Sequence, residues 1–299
     1  MSESPEQRKT PYSLYEGMGS KKELILNTLN FFMRGRKALP KSERLFVFAA
    51  FTLLGEEIPH KQEIIQELNS TQSDEGTWKK GHEHYVPITA QTFLFYKWIG
   101  YAPEKSLEPF LATIDTWRKA VAHNERYQPD NYWGGLWGYV ACYTALGKQP
   151  PWKQEFLQEA NGQFDSWASE NHQRAHVIDC FRQLHEPIPR AEELTRIILD
   201  QQREDGRWES AHWDVALPQT AFGIFSLQAL NDQFSPATED ALRRAHEFID
   251  SCFTTVNYHG KEYGGYAAEP GGIIPQPIET ACAIAAQLHP DELKKIHGV

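Results

Sequence analysis

Gln202-Arg203-Glu204-Asp205-Gly206-Arg207-Trp208 is the stretch that decides the fold, because the chain uses it more than once. Gln72-Ser73-Asp74-Glu75-Gly76-Thr77-Trp78 carries the same Gln, acid, Gly and Trp. A Thr-Ala pair follows each Trp: Thr89-Ala90 after the first copy and Thr220-Ala221 after the second. A weaker third copy reads Gly264-Gly265-Tyr266, with Thr280-Ala281 downstream. A turn that recurs together with its following segment marks a repeat architecture.

Around these turns the hydrophobic pattern has helical period and alternates between two types. Segments of mixed polarity are predicted as helices with one wet face: Lys21–Met33, His60–Asn69, Pro103–Ala122, Trp152–Trp167, Arg190–Gln202 and Pro236–Phe253. Shorter segments, richer in small apolar residues, are predicted as covered helices: Ser42–Leu54, Pro87–Ile99, Gly135–Leu146, Asn171–Leu184, Pro218–Leu230 and Pro277–Leu288. Several end at a glycine able to take positive φ, as in Leu54-Gly55 and Leu146-Gly147. Ser235-Pro236 supplies an N-cap and a proline at the first helical position. No segment shows a long β-alternation, and Tyr258–Gly272 reads as a glycine-rich loop. The expectation is an all-α chain, with residues 1–19 as an N-terminal arm. Residues 20–299 are expected to form one (α/α)6 toroid, six inner helices inside six outer ones, with an open solenoid as the alternative.

Composition narrows the function. The chain has 299 residues, 40% hydrophobic and 23% charged, enough apolar mass for a substantial core. A net charge of −10 is unsuited to neutralising phosphates, so no nucleic-acid partner is expected. Cys142, Cys180, Cys252 and Cys282 show no zinc-type spacing and are expected as free thiols of a reducing compartment. The first nineteen residues lack the apolar core of a signal peptide, and no apolar run is long enough to span a bilayer. A cytoplasmic protein is expected, with peripheral membrane contact allowed.

The Gln-x-x-acid-Gly-x-Trp turn with its Thr-Ala helix resembles the repeat of the squalene–hopene cyclase and protein prenyltransferase β-subunit superfamily. The helix alternation extends the resemblance over roughly residues 20–299. It implies a toroid in which Gln72, Trp78, Gln202 and Trp208 tie repeats together rather than catalyse. It also implies a stand-alone single-domain member, since typical cyclases of the class have two toroids. The chain departs from the family in its chemistry. Proton-initiated cyclases carry Asp-x-Asp-Asp before a Thr-Ala pair. The three positions here read Tyr85-Val86-Pro87-Ile88, Ala216-Leu217-Pro218-Gln219 and Gln276-Pro277-Ile278-Glu279. Only Glu279 supplies an acid, at the last position of the run. The prenyltransferase zinc pattern is incomplete, since its His position is again Glu279. No Asp-Asp-x-x-Asp run is present to hold magnesium for diphosphate ionisation.

Acid-initiated cyclisation of an isoprenoid needs a protonated carboxyl, aromatic faces for carbocations and a dry cavity. The candidate catalytic residues are Asp214, Glu279 and His212, with Glu83 and His84 also considered. The candidate substrate-binding residues are Tyr85, Tyr132, Trp133, Trp137, His176, Asp179, Trp213 and Phe222. His172, His176, Asp179 and Gln183 share one helical face at i, i+4, i+7 and i+11. The expected partner is a hydrophobic, isoprenoid-like or meroterpenoid small molecule, and no metal or other cofactor is expected. Three alternatives stay open: a metal-dependent enzyme using His82, His84, His172, His176, His212 and Asp214; a glycan-active (α/α)6 enzyme; and a non-catalytic prenyl-binding toroid.

Overall fold

The computed structural model describes residues 14–39, 41–74, 76–80, 83–84, 89, 92–93, 96, 101, 103–109, 111–112, 129–210, 215–230 and 235–287. These residues are mostly helical, so the chain is all-α in class. In chain order come α1 (Leu14–Arg34), α2 (Lys41–Leu53), α3 (Lys61–Thr71) and a two-residue ladder of β1 (Lys79–Lys80) and β2 (Glu83–His84). Then follow α4 (Pro129–Ala145), α5 (Lys153–Gly162), α6 (Phe164–Ala168), α7 (Asn171–Gln183), α8 (Ala191–Gln201), α9 (Ala216–Leu230) and α10 (Pro236–Ser251). The β3 (Phe253–Tyr258) and β4 (Lys261–Tyr266) hairpin precedes α11 (Pro277–Gln287).

The helices with small residues pack in one series. α4 lies against α7, α7 against α9, α9 against α11, and α11 against α2. Their N-terminal ends lie together. Asn171, first in α7, donates to the Gln219 carbonyl early in α9 at 2.7 Å. Near the other end, Thr144 of α4 reaches Gln183 of α7 at 2.9 Å. Parallel neighbours need a return helix between them. α5 with α6, α8 and α10 fill that role, and α10 starts on the expected cap, with Ser235 Oγ accepting from the Thr238 N–H at 3.2 Å.

The recurring turn is built the same way in both copies. The Gln72 amide nitrogen donates to the carbonyls of Gly76 and Lys105, both at 2.9 Å. The Gln202 amide donates to Gly206 at 2.9 Å and to Ala241, in the next outer helix, at 2.8 Å. Each Trp indole donates to a carbonyl ten residues back: Trp78 to Leu68 at 2.9 Å, and Trp208 to Ile198 at 2.8 Å. The Trp backbone N–H then meets the Thr hydroxyl of the next inner helix, Thr89 at 3.1 Å and Thr220 at 3.3 Å. The third copy keeps this last link, Tyr266 N–H to Thr280 at 3.1 Å. The Gly is obligatory at the turn. Gly206 has φ +91°, and a Cβ there would stand 2.2 Å from the Arg244 carbonyl oxygen. So the motif orients each inner helix against the outer helix of its own repeat and that of the next.

Four expectations need correction. Much of the Tyr258–Gly272 loop is strand, since β3 and β4 pair in register from Phe253 with Tyr266 to Tyr258 with Lys261. The ribbon's outward strand is mostly exposed while β4 is buried at Tyr263–Tyr266 and packs on α1. Exposed strand positions carry no hydrophobic alternation to read. The Trp152–Trp167 helix breaks at Gln163 into α5 and α6. α4 begins at Pro129, placing Tyr132 and Trp133 within the helix rather than in its approach. α1 begins at Leu14, inside the expected arm.

Candidate functional site

Each helix of the inner series is flanked on its described sides by neighbouring inner helices and covered by an outer one. All five nevertheless keep a line of half-buried residues at helical spacing. On α2 these are Phe46, Ala49 and Leu53; on α11, Ile278, Cys282 and Ala285; on α9, Phe222, Phe225 and Ala229. On α7 they are His172, His176, Asp179 and Gln183, joined on α4 by Gly134, Trp137 and Thr144. Three helices thus contribute an apolar wall, and α7 with part of α4 a polar one. Cys282 is half-buried, yet burial pushes its thiol up to about 12. Burial likewise pushes the half-buried His176 down to about 3, with the neighbouring His172 adding to the effect.

The polar wall is ordered by side-chain bonds between α7 and α4. Asp179 Oδ2 accepts from Trp137 Nε1 at 2.7 Å and from Gln183 Nε2 at 2.6 Å. His172 and His176 place their Nε2 atoms 3.0 Å apart, so one donates and the other accepts. Trp137 lies 5.1 Å from the His176 ring and Phe222 lies 5.2 Å from the His172 ring, centroid to centroid. Beneath this row Arg174, fully buried, holds α7 to its neighbours. It donates to the Ala168 carbonyl, Gln201 Oε1 and Asn171 Oδ1 at 2.7, 2.8 and 2.8 Å. Its buried guanidinium has no hydrogen-bonded carboxylate among the described residues, and desolvation lowers its affinity for the proton to about 10.

Glu279 sits in the first turn of α11, 6% exposed, at the seam with α2. Burial raises its carboxyl above the ordinary range, and the Glu43 carboxylate in the first turn of α2 adds to that. The Gln276 amide, with its nitrogen turned toward the carboxyl, donates to both oxygens at 3.2 Å. Glu279 precedes Cys282 by about one turn and, after burial, adds to the raising of its thiol, which places the acid beside the apolar stripe of α11.

Of the sequence candidates, the structure brings Trp137, His176, Asp179 and Phe222 close together, and it places Glu279 at the seam of α11 with α2. Tyr132 and Trp133 turn to the outer layer instead. The Tyr132 hydroxyl donates to Glu159 of α5 at 2.6 Å, and Trp133, 1% exposed, packs edge-on against Phe156 of α5. Tyr85, His82, His212, Trp213 and Asp214 lie outside the described residues. Sequence reasoning overlooked Thr144, Gln276, Glu43 and Cys282. The signal for Cys282 was its i+4 spacing from Ile278 on the same face. Glu43 had none, because its partner is 236 positions away (279 − 43). Among the described residues, no three His, Cys, Asp or Glu side chains are grouped to hold a metal ion, and no helix is long and apolar enough to cross a membrane. Cys142, Cys180, Cys252 and Cys282 are free. A scan of the sequence against protein-family models gives no match, and a search of curated proteins finds none similar.

Proposed function

We propose that the chain closes into an (α/α)6 toroid and works as a terpenoid-cyclase-like enzyme, cyclising an isoprenoid or meroterpenoid by protonation in its central cavity. The observation that carries the architecture is the packing of α11, the last inner helix, on α2, the first. In an open solenoid these would be the two most distant members of the series. Closure directs the half-buried stripes of the five described inner helices at one axis, and three of those stripes are apolar.

Glu279 is the acid in this reading. A carboxyl held neutral by burial can deliver its proton to the less substituted CH carbon of the terminal alkene, which leaves a tertiary cation at the adjacent dimethyl-bearing carbon. The π bond further along the chain attacks that cation, each attack forming one ring bond and moving the charge onward. Phe46, Phe222, Phe225 and Trp137 supply faces over which the charge is stabilised. The last cation loses a proton or takes up water, and solvent reprotonates Glu279. Asp214 remains the second candidate acid, with His212 beside it in sequence. The test is incubation with linear prenyl chains, free, as epoxides or attached to aromatic heads, with product analysis. Cyclic products lost in Glu279→Gln and kept in Asp214→Asn support this assignment. Full turnover by Glu279→Gln removes Glu279 from the role, and turnover by both variants removes both acid assignments.

A further inference from the structure

The polar face of α7 and α4 has one acceptor left over. Asp179 Oδ2 is doubly used, by Trp137 and Gln183, whose own oxygen takes the Thr144 hydroxyl. Asp179 Oδ1 has no hydrogen-bond partner among the described residues, and the side chain is half-buried. One turn along the same face, His172 and His176 satisfy each other through Nε2. A carboxylate oxygen left open in a partly desolvated position favours a donor, since an unmade bond to such a group costs more than a made one returns. A hydrocarbon chain offers no donor. An anionic head meets the Asp179 charge, and none of the described stripe positions is Lys or Arg. The rings of Trp137 and Phe222, on either side of the His pair, give the head an apolar surround.

Building on the toroidal reading above, we infer that the substrate carries a neutral, hydroxyl-bearing head, an alcohol or a phenol, whose O–H donates to Asp179 Oδ1. The isoprenoid tail then runs along α9, α11 and α2 toward Glu279. Trp137 and Gln183 are positioning residues: they fix the carboxylate through Oδ2 and leave Oδ1 aimed at the head.

Binding of farnesol, farnesol methyl ether, a farnesyl phenol, farnesene and farnesyl diphosphate to the full chain, by titration calorimetry, tests this. The alcohol or the phenol binds roughly tenfold or more tighter than the methyl ether, which keeps the acceptor and lacks the donor. Whichever of the two binds tighter identifies the head. Asp179→Asn keeps an oxygen for Trp137 and Gln183 and replaces Oδ1 with an N–H donor, so the order reverses and the ether binds at least as well as the alcohol. If that variant does not fold, shown by its thermal melt, the wild-type ratio of alcohol to ether decides alone. Equal affinity for alcohol and ether, an unchanged ratio in folded Asp179→Asn, or tightest binding of the diphosphate overturns the proposal. Farnesene binding as tightly as the alcohol overturns the head assignment and leaves the isoprenoid cavity standing. No binding by any of the five overturns both.

Discussion

Gln72 and Gln202 occupy the same place in two copies of one turn, and they differ by one hydrogen bond. Gln72 donates twice and also accepts, its Oε1 taking the Lys105 N–H at 2.9 Å. Gln202 donates twice, but its Oε1 is buried with no hydrogen-bond partner among the described residues. Truncation to alanine therefore costs unequal amounts. With each bond worth about 1 kcal/mol net, Gln72→Ala loses roughly 3 kcal/mol. Gln202→Ala loses two such bonds, roughly 2 kcal/mol, and recovers about 1 kcal/mol or more by removing an orphaned carbonyl. At about 2 °C per kcal/mol for a chain of this size, the melting temperature falls by roughly 6 °C for Gln72→Ala and roughly 2 °C for Gln202→Ala. Thermal unfolding followed by circular dichroism at the helix band measures both, and urea melts with an unchanged slope confirm that the folded state alone is affected. A loss in Gln202→Ala equal to or larger than that in Gln72→Ala would refute the reasoning. The turns would then be held by Trp packing, and the amides would be incidental.

Further expectations follow from the same geometry. Gly206→Ala forces a Cβ against the Arg244 carbonyl at φ +91°, and the melt should fall by an amount equivalent to roughly 3 kcal/mol or more; a wild-type melt would mean the turn relaxes freely. Glu279, whose folded carboxyl is raised, favours the folded state at pH below its ordinary value of 4.5 and penalises it as pH rises through the raised one. Glu279→Gln should accordingly be more stable than wild type at neutral pH, with the difference closing on acidification toward pH 4.5. A difference that widens on acidification reverses the assignment. His246, buried in α10 and pushed down to about 4, must be charged in the unfolded chain below pH 6.5. It contributes stability that is intact above pH 6.5 and is lost by pH 4, roughly 3 kcal/mol in all. His246→Asn should flatten urea-melt stability over that window, and an unchanged slope contradicts it.

The repeat was legible because its parts are close in sequence. Gln202, Gly206, Trp208 and Thr220 fall within nineteen residues, and one helical period on each side completes the reading. The α7 face was legible for the same reason, since 172, 176, 179 and 183 need only a helix to align them. What a single face cannot disclose is its partner. Trp137 and Asp179 are bonded across 42 positions, and Thr144 and Gln183 across 39, so only the packing of α4 on α7 joins them. Tyr132 and Trp133 were drawn toward the site by their aromatic character alone. Residues 132 and 133 precede 137 by more than one turn and meet α5, and no composition rule separates a cavity wall from a seam between layers.

The departure of this chain from an acid-rich run also has a physical consequence. A run of carboxylates keeps one member protonated by mutual repulsion and by a shared proton. Here Glu279 has Pro277 and Ile278 before it and must be kept neutral by other means. Burial does most of this, the hydrogen bond from its own backbone N–H works the other way, and the Glu43 carboxylate on the adjacent helix adds like charge. The pair of acids is thus split between the first and last inner helices and meets only where α11 packs on α2. The acid strength of Glu279 is tied to that contact. A change in α2 that pulls Glu43 away lowers the Glu279 carboxyl toward its ordinary range without touching it. Glu43→Gln should therefore shift the high-pH limb of the pH–rate profile, where the protonated acid is lost, to lower pH, the direction expected when a neighbouring negative charge is removed.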